Sequence, residues 1–124
     1  MRKNIIFIVV ILLLFSSAWP QLQKITIIFP NGGEILRTGS IVDIKWTYPV
    51  ENNNVDRMVI LLYKNGIKFR TLSPSAENTG IFKWEISQDL PEDDKYRIRI
   101  RLENDLAVND FSDNDFLIKK REDQ

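Results

Sequence analysis

From Lys24 onward the chain is a series of short β-rich stretches separated by turn residues, and where a period can be read it is two. Ile41 to Tyr48 is the clearest case. Val42, Ile44, Trp46 and Tyr48 fall on one side, and Asp43, Lys45 and Thr47 on the other. That alternation predicts a strand with one buried and one wet face, as in an antiparallel sheet packed on one side. Phe82, Trp84 and Ile86 against Lys83 and Glu85 repeat the pattern. Tyr96, Ile98, Ile100 and Leu102 against Arg97, Arg99 and Arg101 repeat it again. Further strands are expected over Lys24 to Phe29, over Glu34 to Arg37 as a short edge strand, and over Ile67 to Leu72. Arg57 to Tyr63, with Met58, Ile60 and Leu62 inward, and Asp115 to Lys119, with Phe116 and Ile118 inward, complete the set.

The breaks carry equal information. Pro30-Asn31-Gly32-Gly33 stops the first strand, because proline donates no hydrogen bond and glycine admits positive φ. Lys64-Asn65-Gly66 predicts a tight hairpin, since a type I′ turn needs positive φ at both central residues. Ser73 to Thr79 reads as a loop, Leu90 to Asp94 as a corner, and Leu106 to Val108 with Phe111 as part of a long late loop. No stretch after the leader has the helical period of 3.6. The expected fold is therefore all-β: a single immunoglobulin-like or fibronectin-III-like antiparallel β-sandwich of about seven strands over residues 25–119. Residues 19–24 lead into it, and the charged stretch 120–124 follows it. Trp46 and Trp84 fall on the inward faces and are assigned to the core, although paired indoles can also form a sugar-stacking platform. Tyr96, opening the penultimate strand with Leu90 six residues earlier, has the spacing of a tyrosine corner, in which the phenol bonds back to upstream backbone.

The front of the chain reads differently. Arg2 and Lys3 precede an unbroken apolar run from Ile5 to Phe15, followed by Ser16-Ser17-Ala18. This is the three-part layout of a secretory signal peptide, 1–18, with cleavage expected after Ala18. The rival reading is an uncleaved anchor, but a spanning helix needs about 20 apolar residues and this run is shorter. The expected location is thus secreted, periplasmic or cell-surface, with no stable membrane span after cleavage.

The chain carries 17 basic and 17 acidic residues, and loss of Arg2 and Lys3 would leave a slight acidic excess. Near-neutrality gives no general attraction to nucleic acid or to anionic membrane. There is no cysteine and no histidine. The first absence removes disulfides and thiol chemistry, so the fold must rest on its apolar core. Together they exclude Ser–His–Asp and Cys–His catalysis and the usual zinc sites. No cofactor is expected.

The ordered set Ile27-x-Phe29-Pro30-Asn31-Gly32-Gly33-Glu34, Gly39, Ile44-x-Trp46, Ile60-x-Leu62-Tyr63-Lys64-Asn65-Gly66, Gly80-x-Phe82-x-Trp84-x-Ile86, Leu90-Pro91, Tyr96-x-Ile98-x-Ile100 and Ser112-Asp113-x-x-Phe116-x-Ile118 resembles a known family. It is similar to the Kre9/Knh1-like domain of the Ser-Thr-rich, glycosylphosphatidylinositol-anchored family, in its bacterial and archaeal secreted versions. The resemblance implies a β-sandwich outside the cytoplasm, tied in fungi to cell-wall glucan assembly and in prokaryotes to accessory modules of surface proteins. It carries over no catalytic residue. The chain departs from the fungal pattern in lacking a Ser/Thr-rich stalk.

Three clusters remain as candidate chemistry. Arg97, Arg99 and Arg101, extended by Lys95, form a basic ladder on which an acidic glycan or protein could dock; the plainer reading is a row of exposed cross-strand pairs with carboxylates. Phe111 lies in the late loop with a weak claim on the core and is grouped with the ladder as a binding residue. Asp110, Asp113 and Asp115, with Asn114, are spaced like oxygen ligands for Ca²⁺ but lack EF-hand order, and Glu92-Asp93-Asp94 is a second acidic cluster; because the ligand order is missing both are read as solvated turns, and no metal is assigned. The expected function is a non-catalytic binding, adhesion or accessory module acting at the cell envelope on a protein or glycan. The alternatives are a structural spacer or assembly subunit pairing through edge strands and a carboxylate-based glycoside hydrolase.

Overall fold

The computed structural model describes residues 24–49 and 56–122. Residues 1–23, with the expected signal peptide and its cleavage point, 50–55 and 123–124 lie outside the described residues. Nine strands follow in order: β1 Thr26–Phe29, β2 Ile35–Arg37, β3 Ile41–Thr47, β4 Arg57–Lys64, β5 Ile67–Glu77, β6 Ile81–Glu85, β7 Asp93–Leu102, β8 Asn109–Phe111 and β9 Phe116–Lys119. No helix occurs among the described residues, so none there is long and apolar enough to cross a membrane.

The strands form two sheets packed as a sandwich. The smaller has the order β1-β3-β6, and the larger has the order β2-β9-β7-β4-β5, with β8 also paired to β7. β8 and β9 lie along one side of β7, opposite different halves of it. They behave as one strand interrupted at Ser112–Asp115. Between the sheets sit the inward residues of every long strand, among them Ile44, Trp46, Ile60, Leu62, Trp84, Ile98, Ile100 and Phe116. Burial of this apolar set, with no disulfide available, is what stabilises the domain.

Several elements differ from expectation. β2 pairs with β9 in parallel, so the larger sheet is not purely antiparallel. β5 runs on to Glu77 through the stretch assigned to a loop. Ser73 opposes Ile60 and Ala76 opposes Met58, so Pro74 and Ser75 together face Val59 as a bulge. Proline is tolerated there because, among the described residues, β5 has a neighbour on one side only. β7 begins at Asp93, within the expected corner, because Asp93 already pairs with Ile118. β8 forms inside the expected late loop.

Tyr96 is fully buried, and its hydroxyl donates to the Pro91 carbonyl at 2.6 Å. Its ring stacks near-parallel on Phe116 at 6.2 Å and meets Phe69 edge-on at 6.4 Å. Leu90, 1 % exposed, sits at the same corner. Burial, with the Asp93 charge adding to it, pushes the Tyr96 phenol up to about 12. A raised phenol pKa means the neutral form is the one the fold holds. Its contribution is complete below pH 10 and is lost as pH rises from 10 to about 12. Tyr96→Phe is expected to cost about 1–3 kcal/mol, the penalty of an orphaned buried acceptor. It should also flatten the fall in melting temperature between pH 10 and 12 relative to the parent protein. Parallel melts across that range check both effects, and equal alkaline slopes would remove the corner hydroxyl from the account.

Candidate ligand-binding groove

The site grows from one departure in β4. Met58 to Leu62 is apolar at every position, which marks a strand buried on both faces. Met58, Ile60 and Leu62 enter the core between the sheets, while Val59 and Leu61 point the other way and are still only 6 % and 4 % exposed. The outward face of the larger sheet is therefore not simply solvated. Val59 pairs with Arg101, Leu61 with Arg99 and Tyr63 with Arg97. The arginine stems flank an apolar strip, as long cationic side chains do when their heads reach water.

β8 closes this face from the other side. Phe111 is the register partner of Arg99. Its ring stands edge-to-face with Tyr63, centroids 5.0 Å apart and planes at 84°. The Arg99 guanidinium lies over both rings, 5.1 Å from the Phe111 centroid and 5.9 Å from that of Tyr63. It also donates to the Tyr63 hydroxyl at 2.9 Å and to Asn109 Oδ1 at 3.2 Å. The cation and the two rings are thereby fixed relative to one another.

The hairpin turn completes the wall. Asn65 and Gly66 both have positive φ, 53° and 75°, and join β4 to β5 in the two-residue turn their sequence demands. The Asn65 N–H donates to the Lys95 carbonyl at 2.9 Å, which ties the turn to β7. The result is an open groove of about 520 Å³ lined by Tyr63, Lys95, Arg97, Phe111 and Asp115 together with the turn. Its volume falls in the range of small-ligand sites.

The basic ladder divides into three roles. Arg97 donates from Nε to Asp115 Oδ1 at 2.7 Å and from Nη1 to the Ser112 carbonyl, so it is the cross-strand ion pair of the plainer reading. Arg99 has no carboxylate within ion-pair distance among the described residues, and its charge is held by rings and amide instead. Arg101 turns away, donating to the carbonyls of Leu102 and Glu103. Arg97 and Phe111 thus meet in the groove, Arg99 buttresses it, and Arg101 lies outside it. Lys95 has no ion-pair partner among the described residues.

The three aspartates are not brought together as a cation site. Asp110 Oδ2 accepts the Ile27 N–H at 2.8 Å, capping the edge of β1. Asp113 Oδ2 accepts from Asn31 Nδ2 at 2.9 Å, and Asp115 is held by Arg97. No group of three or more acidic, histidine or cysteine side chains suited to a metal occurs among the described residues. Glu92, Asp93 and Asp94 instead line an adjoining depression of about 530 Å³ that shares Asn65 and Lys95 with the groove. Trp46 and Trp84, at 2 % and 4 % exposure, present no platform to solvent.

The Pro-Asn-Gly-Gly-Glu run has a structural task. The Glu34 carboxylate accepts the N–H groups of Asn31 and Gly32 at 2.8 and 2.7 Å. The Asn31 side chain exchanges two hydrogen bonds with Asp113, and the Asn31 carbonyl accepts from Asn114 N at 3.0 Å. Ser112, 1 % exposed, donates from Oγ to the Pro30 carbonyl at 2.7 Å and accepts from the Ile98 N–H at 3.0 Å. The motif clamps the interruption between β8 and β9, which sets Phe111 and Asp115 at the groove.

Tyr63, Asn65 and Gly66 are groove residues that reading the sequence did not single out for binding. A signal was present for Tyr63: an aromatic at outward parity beside the arginine ladder, on a strand apolar at both parities. Compared with models of known protein families, with curated proteins and with solved structures, the chain matches none. Function must therefore be argued from the site, since a β-sandwich alone implies none.

Proposed function

We propose that this protein is a non-catalytic binding module of the cell envelope or cell surface, and that it holds a protein or glycan partner on the outward face of its larger sheet. The observation that carries the reading is the fixed Arg99–Tyr63–Phe111 cluster beside an open groove. Preorganised aromatic and arginine side chains are what recognition sites concentrate, because little conformational entropy is lost when they bind. The apolar, cation-led leader supports an extracytoplasmic address. So does the resemblance to secreted wall-associated modules. A carboxylate glycosidase needs two acids flanking one bond. Of the residues lining the groove only Asp115 is acidic, and it is engaged by Arg97.

A second reading has its own observation. β5 spans eleven residues with one edge unpaired among the described residues, and Ile67 on it is 71 % exposed. An open edge can template assembly, which would make the protein a spacer or subunit. Pro74, Lys68 and Arg70 interrupt that edge in the way soluble edge strands are usually protected.

The test is retention of envelope components and arrayed glycans by the parent protein and by an Arg99→Ala/Phe111→Ala variant with a comparable melting temperature. A specific partner whose affinity falls at least about tenfold in the variant is the expected result. An unchanged partner moves the site elsewhere. Self-association alone favours assembly through β5, and polysaccharide turnover abolished by removing one acid favours the hydrolase.

A further inference from the structure

We propose that the groove takes an anionic saccharide, a chain bearing uronate sugars, with its carboxylate between Lys95 and Arg97 and the C–H face of a sugar ring on Phe111 or Tyr63. The proposal rests on the binding-module reading and names its ligand class.

Charge gives the sign. Lys95 and Arg97 line the groove with Asp115 as the one acid of its lining, and Arg99 stands behind Phe111, while Glu92, Asp93 and Asp94 lie in the adjoining depression. The Lys95 side chain is exposed and has no ion-pair partner among the described residues. Arg97 donates from Nε to Asp115 and from Nη1 to the Ser112 carbonyl, which leaves its Nη2 group to donate. An ammonium beside a guanidinium edge is suited to a carboxylate.

The rings give the shape. Tyr63 and Phe111 meet at 84° and make a corner rather than a flat stack. Aromatic faces carry partial negative charge, and the axial C–H groups of a pyranose carry the opposite sign. Arg99 already occupies one side of the corner and holds it in place, so a ligand need not order it. The Asn65 amide and the open space at Gly66, where an added Cβ would meet nothing within 4 Å, leave room and donors for hydroxyls.

Topology weighs against an extended peptide. The groove crosses the sheet over β4 and β7, and both strands are paired on each side. Among the described residues no free backbone edge opens into it, so strand addition has no ladder to join. Recognition here must come from side chains. The adjoining depression carries Glu92, Asp93 and Asp94 against Lys119, with Asp93 paired to Lys64 at 3.7 Å, so it attracts an anionic chain less than the groove does. The saccharide therefore extends from Lys95 towards Phe111.

Titration of the full chain with three probes tests this: polygalacturonate, the same polymer fully methyl-esterified, and polyglutamate. The first keeps sugar and charge, the second removes charge, and the third removes the sugar. Polygalacturonate should bind at least about tenfold tighter than either control; Lys95→Ala should weaken it about tenfold without moving the melting temperature, and Phe111→Ala should weaken it about tenfold when measured well below its own, lower, melting temperature. Asp94→Asn should tighten it about two- to threefold at low salt and have no effect at high salt. Equal binding of the ester, lost in Phe111→Ala, overturns the anionic ligand and keeps the groove as a neutral-glycan site. Tighter binding of polyglutamate overturns the saccharide and keeps the binding module. Binding of no probe, or binding untouched by both variants, overturns the proposal outright. The binding-module reading then stands or falls separately on retention of envelope components.

Discussion

Trp46→Ala should abolish the cooperative melt or lower its midpoint by more than about 12 °C. The indole is 2 % exposed, and its residue is central in β3, paired to Ile27 on β1 while its backbone N–H donates to the Gly80 carbonyl at 3.1 Å. Truncating a buried tryptophan costs about 3–5 kcal/mol in lost transfer energy and cavity. A second loss comes with it. Indole Nε1 donates to Asn78 Oδ1 at 2.9 Å, and the other end of that amide, Nδ2, is buried with no partner among the described residues. In the variant both ends of Asn78 are without a protein partner, a further penalty of about 1–3 kcal/mol. A domain of this size has about 5–15 kcal/mol in total, and here no disulfide adds to it. Trp46→Phe separates the two losses, because it keeps most of the packing and removes only the donor. A midpoint shifted by less than a few degrees in Trp46→Ala would mean that the indole does not lie between the sheets.

Much of this architecture was legible in the sequence because its inner faces obey one rule. Where a strand has one dry and one wet side, as in β3, β6 and β7, the side chains alternate and the parity can be read directly. The turn at Asn65–Gly66 was legible for an equally local reason, the need for positive φ at two successive residues. The rest depended on neighbours. β8 is three residues long between turns, too short to display a period, and it exists because Arg99 and Arg101 on β7 offer it register partners. The extension of β5 past Pro74 depends on β4 absorbing a bulge, which no local preference announces. The parallel pairing of β2 with β9 joins residues some eighty positions apart, as Leu36 does with Ile118.

The candidate site was half legible. The arginine ladder and Phe111 were visible as outward or unplaced residues, but their grouping was not. Arg97, Arg99 and Arg101 look equivalent along the chain, and the structure separates them by what each meets across the sheet: a carboxylate, two rings, and main-chain carbonyls. The aspartate spacing misled in the opposite direction. Along an extended strand and its interruption, successive side chains leave in different directions, so close spacing in sequence delivered Asp110, Asp113 and Asp115 to three different partners.

Gly32→Ala is expected to cost about 2–6 kcal/mol, against about 1–2 kcal/mol for Gly33→Ala one residue away. Both glycines have positive φ, 138° and 82°, so backbone strain alone does not separate them widely. Space does. A Cβ on Gly33 would meet nothing within 4 Å, whereas one on Gly32 would stand 2.6 Å from Asn114 Cβ and 3.1 Å from its Cα. Nothing there can yield cheaply. Asn114 is tied back by its N–H to Asn31, and Gly33 N–H reaches the Asp115 carbonyl at 2.9 Å. Relief would require pulling the Asn31–Glu34 turn off the Ser112–Asp115 interruption, with loss of the Asn31–Asp113 and Ser112–Pro30 bonds. Phe111 borders that interruption and Asp115 is its last residue, so the groove should loosen before the sandwich does. Hydrogen exchange at residues 112–117 should rise first in Gly32→Ala, ahead of exchange in β4, and ligand affinity should fall in step with it. Equal destabilisation by the two alanines would show that the close approach of Gly32 to Asn114 is not what holds the two halves of this strand in place.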